Sequence, residues 1–118
     1  YPELHYGRDA LVGAALFLSL LAKSGKKVSE LKKQYPQYVI TKDKIQLTPE
    51  MDIDAILARV KEKFAGEKVT DIDGVKIDFP DGWVHLRRSN TEPIIRIYSE
   101  AQSAERANEL AANVKNQL

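Results

Sequence analysis

The chain has 118 residues and a mass of 13.3 kDa, with 43% hydrophobic and 30% charged residues, which is enough for one ordinary domain or a small domain plus part of another. Its 18 Lys+Arg nearly cancel 17 Asp+Glu. That balance excludes a general nucleic-acid binder, whose affinity needs a large excess of cations, so any basic site is local. Without cysteine there is no disulfide framework, thiolate metal site or cysteine nucleophile, and the composition fits a reducing, cytoplasmic setting.

Residues 1–7 lack periodicity and read as a loop. The chain starts Tyr1-Pro2 rather than with Met, which points to an excised fragment. A helix is expected from about Asp9, whose carboxylate can cap the first turn, to Lys23, with Gly25 as the stop. Leu11, Val12, Leu16, Leu18, Leu20 and Leu21 make this helix apolar nearly all round, so it wants burial on more than one side. The apolar run Ala10 to Ala22 is shorter than the roughly 20 residues of a membrane span and has no basic leader or cleavage site. No membrane contact is expected.

A short second helix is expected over 26–35, with Ser29 as cap and Pro36 as terminator. Tyr38 to Thr41 and Ile45 to Leu47 read as short extended pieces around a charged hinge, Lys42-Asp43-Lys44. Thr48-Pro49 looks like a cap followed by a first-turn proline. Ile53, Ile56, Leu57, Val60 and Phe64 then share one helical face. Val69 to Ile72, Val75 to Phe79, Trp83 to Arg87 and Ile94 to Tyr98 read as strands. Asp73-Gly74 reads as a two-residue hairpin turn and Pro80-Asp81-Gly82 as a second turn. Ser103 caps a last helix with the face Ala104, Ala107, Leu110, Ala111, Val114 and Leu118.

The expected fold class is therefore α+β: a four-stranded antiparallel sheet with two helices on one face, over residues 48–118. Residues 37–47 are read as linker and hinge. Residues 1–36 are helical and, having no sheet to cover them, belong to the end of something larger.

The stretch Leu86 to Arg96 carries the chemistry. Hairpin loops of two to five residues normally use Gly, Asn, Asp or Pro. This one concentrates Arg87, Arg88, Ser89, Asn90 and Thr91, with Arg96 on the return strand. Guanidinium forks match phosphate oxygens, hydroxyls add short donors, and a tight turn can gather backbone N–H groups into an anion-binding concavity. Strand alternation puts Arg87 and Ser89 on one side and Arg88 on the other. Glu92 must point away, pair with an arginine or accept a sugar hydroxyl. The alternative is a solvated turn with decorative arginines, since short polar motifs have many false positives.

Arg87-Arg88-Ser89-Asn90-Thr91-Glu92-Pro93 resembles the phosphate-binding loop of the α-D-phosphohexomutases, which include phosphoglucomutase, phosphomannomutase and phosphoglucosamine mutase. Asp73-Gly74-Val75-Lys76 and Asp81-Gly82-Trp83 are similar to the hairpins before that loop. Gly7-Arg8-Asp9-Ala10-Leu11, Val28-Ser29-Glu30-Leu31 and Tyr35-Pro36 resemble the end of the family's third, α/β domain. The resemblance implies a four-domain enzyme that interconverts hexose or hexosamine 1- and 6-phosphates through a phosphoserine and a bisphosphorylated intermediate.

In that scheme residues 48–118 are the fourth domain, which holds the substrate's non-transferring phosphate and hinges over it at 37–47. Arg87, Ser89 and Thr91 correspond to side-chain ligands, Asn90 to a backbone donor and Arg96 to the arginine of the following strand. Asn in place of Gly at 90 implies a costlier positive φ. Arg88 falls at a variable position. The full-length enzyme uses Mg²⁺, but no Ser-His-Asn, Asp-Gly-Asp-Gly-Asp or Gly-Glu-x-Ser-Gly-His motif occurs here. The fragment alone is thus expected to bind no cofactor and to be inactive. Its implied partners are a sugar phosphate and the other domains of the same chain.

His5 and His85 lack ligand-spaced company and read as surface or packing residues. Asp71, Asp73, Asp78 and Asp81 read as turn residues, and Trp83 as core. The rival function is a stand-alone α+β interaction module using the free face of its sheet, without catalysis. An all-round apolar first helix argues against it.

Overall fold

The computed structural model describes all 118 residues, in two compact units, Tyr1–Pro36 and Gln37–Leu118. In the first unit, α1 (Ala10–Ser24) begins where Asp9 accepts a hydrogen bond from the Val12 N–H at 2.9 Å. It ends at Gly25, whose φ of 62° suits a residue without Cβ. None of its residues is buried, and Leu11, Leu16, Phe17, Leu18 and Leu20 are exposed. The second helix, α2 (Val28–Lys32), is shorter than expected, and its N-cap is Lys27 rather than Ser29. The Glu30 carboxylate accepts from the Lys27 N–H at 2.7 Å, answering an amide that the helix leaves unpaired.

The second unit contains β1 (Val39–Gln46), α3 (Ile53–Lys63), β2 (Lys68–Thr70), β3 (Val75–Phe79), β4 (Gly82–Arg88), β5 (Ile94–Ala101) and α4 (Ala104–Lys115). The sheet has five strands in the order β1-β5-β4-β3-β2, all antiparallel, not four. The added strand is the stretch expected to be a linker. Residues 39–46 pair along their whole length with β5, from Val39 opposite Ala101 to Gln46 opposite Ile94. Lys42-Asp43-Lys44 is tolerated there because β1 is an edge strand with a wet face, and charges on an edge also discourage stray pairing. Asp43 reaches Lys115 of α4 at 2.7 Å, and the Thr41 and Ser99 hydroxyls meet at 2.7 Å.

One face of the sheet forms the core. Val75, Ile77, Val84, Leu86, Ile95 and Ile97 lie against Val60 of α3 and against Ala107, Leu110, Ala111 and Val114 of α4. The Phe64 and Phe79 rings meet edge to face with centroids 5.8 Å apart. Two helices on this face match the expectation for this unit. The N-cap of α3 does not: Asp52, not Thr48, accepts from the Asp54 and Ala55 N–H groups, and Thr48 opens a turn closed by Met51 N–H.

The β2–β3 connection also departs from a two-residue hairpin. It spans 71–74, with Ile72 exposed. Gly74 has φ 75°, and a Cβ there would collide with the Leu86 carbonyl oxygen. The loop is thus laid directly on β4, which only a glycine permits. The opposite, open face carries Lys42, Lys44, Arg87, Arg96 and Tyr98, together with Trp83, His85 and Lys76 by register.

Candidate functional site

Antiparallel pairing fixes where the arginines go. Directly opposed residues share a face, so Arg87 and Arg96 stand side by side on the open face, while Arg88 lies opposite Ile95 and points the other way. The loop that joins their strands is tied down at its base. Ser89 N–H donates to the Ile94 carbonyl at 3.0 Å and Ile94 N–H to that of Glu92 at 2.8 Å. The end of β1 grips the far side, with Leu47 N–H and the Gln46 side chain both donating to the Pro93 carbonyl.

All five expected residues converge. Arg87, Ser89, Asn90, Thr91 and Arg96 line one concavity of about 190 Å³, together with Arg88 and Tyr98. Ser89 is nearly buried, and its Oγ faces Arg96 Nη2 at 3.4 Å and the Thr91 N–H at 3.5 Å. The Asn90 backbone is not left-handed, since no residue other than glycine has positive φ. The extra strain expected from Asn in place of Gly is therefore absent. On the other side of the loop a second concavity, of about 550 Å³, is lined by Arg88, Met51, Pro49 and the loop itself.

Each arginine of the facing pair is held by its own carboxylate. Arg87 Nε is 2.9 Å from Asp73 Oδ2, and Arg96 Nη2 is 2.8 Å from Glu92 Oε2. Of the three roles open to Glu92, the structure shows pairing with an arginine. The Tyr98 phenol beside Arg96, and then Glu92, hold the Arg96 pKa above its ordinary value. Guanidinium groups are fixed cations in any case, so the site offers charge and donors rather than proton transfer.

Sequence reasoning missed Asp73 and Tyr98. Tyr98 had a usable signal, since it follows Arg96 by two residues and so shares its face. Asp73 had none, because its place depends on the 71–74 loop lying across β4. His85 contributes to that placement: its Nε2 lies 2.6 Å from the Asp73 carbonyl oxygen. His5 sits in the first unit, 3.2 Å from Asp9.

Trp83 is not core. It stands half-buried on the open face, donating from Nε1 to Glu100 at 3.0 Å, with Lys76 Nζ 5.3 Å from its ring. The four aspartates of the turn region each find a cation: Asp71 takes Lys61, Asp73 takes Arg87, Asp78 takes Lys76 and Asp81 takes Arg106. No three His, Cys, Asp or Glu side chains converge as a metal site. No helix is long and apolar enough to cross a membrane.

Residues 39–117 match the family model described as phosphoglucomutase/phosphomannomutase, C-terminal domain. A phosphoglucomutase/phosphomannomutase of Thermococcus kodakarensis is 47% identical over 111 residues, covering 92% of this chain and 24% of that protein. A phosphoglucosamine/phosphogalactosamine mutase of Sulfurisphaera tokodaii is 38% identical over 117 residues, covering 98% and 26%. Among solved structures, a phosphoglucomutase/phosphomannomutase family protein from Burkholderia thailandensis superposes with a TM-score of 0.68 at 28% identity, covering 96% of this chain and 24% of that one. The chain thus spans about a quarter of the length of these proteins (24% and 26% of the two relatives).

Proposed function

The chain belongs to the phosphoglucomutase/phosphomannomutase family, whose C-terminal domain it matches, and we propose that its loop 87–96 holds the phosphate of a sugar phosphate during isomerisation. The observation that carries this reading is the convergence of Arg87, Ser89, Asn90, Thr91 and Arg96 on one concavity.

Two guanidinium groups meet the phosphate charge. The Ser89 and Thr91 hydroxyls supply further donors, and Asn90 contributes its backbone N–H. None of these groups moves a proton. They position the ligand and stabilise its charge, which is most of what an enzyme contributes to phosphoryl transfer. Recognition of phosphate alone suits a sugar that binds either way round, as a mutase with a phosphoserine and a bisphosphorylated intermediate requires. Which hexose or hexosamine is taken would be decided elsewhere in the longer enzyme. Transfer itself would need groups outside residues 1–118, so the fragment alone is proposed to be inactive.

Mg²⁺ does not fit this loop: its arginines repel a cation, and its one carboxylate, Glu92, is already paired with Arg96. In the full-length enzyme it would be held by other domains, which are also this domain's proposed partners. The composition supports a cytoplasmic setting without nucleic-acid or membrane contact. Residues 37–38, ahead of β1, replace the broader 37–47 as the place where the domain would hinge.

Calorimetric titration of the 118-residue chain with glucose 1-phosphate tests the reading. Two arginine contacts and a few amides, less ordering costs, give a Kd of about 1 mM. Arg87→Ala is expected to weaken it by about tenfold or more. Equal affinity in the variant would refute the cradle and favour an interaction module with decorative arginines.

A further inference from the structure

The 71–74 loop is fastened at few points, and one of them leads to the cradle. Strand β3 stops at Val75, opposite Leu86. One step further, where β3 would flank Arg87, Gly74 lies on the strand instead, with the space for its Cβ filled by the Leu86 oxygen and Arg87 Cα. Asp73 is then held twice. Its carbonyl oxygen lies 2.6 Å from His85 Nε2, and its carboxylate lies 2.9 Å from Arg87 Nε. His85 and Arg87 are two residues apart on β4, so they share a face and hold Asp73 between them.

A carbonyl oxygen only accepts, so Nε2 must carry the proton that makes this bond. The neighbours of His85 leave it free to do so. Lys76, directly opposite on β3, turns to Asp78 and to the Trp83 ring. Tyr98, directly opposite on β5, has its phenol at Arg96. Little else anchors the loop. Ile72 is 92% exposed, and Asp71 pairs with an exposed lysine, Lys61.

Arg87 needs such an anchor. An arginine at a surface has many rotamers, and holding one of them for a ligand costs affinity. Asp73 occupies the Nε of Arg87, which leaves both terminal nitrogens for the concavity that this arginine lines.

We propose that His85 is a positioning residue for the cradle: through the Asp73 backbone it sets the carboxylate that fixes the Arg87 fork toward a bound phosphate. The proposal rests on the phosphate reading of the loop and adds to it a residue that acts without touching the ligand.

The test is calorimetric titration of the 118-residue chain with glucose 1-phosphate, with the Arg87 Nε–H resonance followed in parallel. Wild type is compared with His85→Leu, His85→Gln, Asp73→Ala and the double variant His85→Leu/Asp73→Ala. His85→Leu is expected to weaken binding by about three- to tenfold, the scale of one side chain left to be ordered. It should also move the Arg87 resonance before ligand is added. His85→Gln, which keeps a terminal N–H donor, is expected to recover most of the loss. In the Asp73→Ala background, His85→Leu should change neither affinity nor resonance further. Wild-type affinity or an unmoved Arg87 resonance in His85→Leu overturns the positioning role and leaves the cradle standing. So does an equal loss in the Leu and Gln variants, or a full further loss on top of Asp73→Ala. Failure of wild type to bind overturns the cradle reading, and the positioning role with it.

Discussion

Arg87 of β4 and Arg96 of β5 face each other directly across the sheet, and each is neutralised by a carboxylate from a different loop, Asp73 for one and Glu92 for the other. Two facing cations cost stability unless an anion lies between or beside them. The loop carboxylates fill that role. A phosphate could do so better, because it meets both forks at once.

The first prediction concerns stability. Phosphate at about thirty times its Kd should stabilise the chain by about 2 kcal/mol, a rise of several degrees in Tm. Arg96→Ala should abolish the rise while leaving the Tm without phosphate close to wild type, since it relieves the facing charge. Thermal unfolding with and without phosphate reads both effects.

Glu92 competes with the ligand for Arg96. Replacing it with Gln keeps a hydrogen-bond acceptor but removes the charge that repels phosphate. Glu92→Gln is expected to tighten phosphate binding by about two- to fivefold. Weaker binding would mean that the carboxylate prepares the arginine rather than blocking it. Titration of the variant at low ionic strength decides the sign.

Gly74 joins the backbone to the site. Its φ of 75° and the Leu86 carbonyl oxygen, which occupies the space a Cβ would need, leave no room for a side chain. Gly74→Ala should cost about 1–3 kcal/mol in denaturant unfolding. It should also displace Asp73 from Arg87, visible as an altered Arg87 Nε–H resonance.

Acid should loosen the β1 edge. The Asp43 pKa is held below the usual carboxylate value, first by its hydrogen bond to Lys115 and then by the Lys44 N–H. A lowered folded pKa means that the contribution is present above the unfolded value, near 4, and is lost as pH falls through the folded one. Amide exchange of residues 39–46 should therefore accelerate below about pH 4. High salt should reduce the effect, because the pair is half exposed, and Asp43→Asn should remove it.

Much of this arrangement was legible in the residues. Alternation in Val75-Lys76-Ile77-Asp78-Phe79 gave β3 its buried face, and the loop chemistry located the five converging residues. Strand β1 was hidden because its edge position relaxes the period-2 pattern. Thr41, Asp43 and Ile45 face the helices, yet only Ile45 looks like a core residue. Asp43 satisfies that face through Lys115, more than seventy residues away. The Asp73-Gly74 pair misled in a different way. Its dipeptide suggested a tight hairpin, whereas the glycine serves close approach to β4. Pairing of Asp73 with Arg87, and of Lys44 with Arg96 across the sheet, depends on register, which no local pattern supplied.

The most direct test of the central claim is an amide chemical-shift titration of the chain with inorganic phosphate, for wild type and Arg87→Ala. The account predicts shifts concentrated in residues 87–96 that disappear in the variant. Shifts scattered over the lysines of 23–33 and unchanged by the substitution would contradict it.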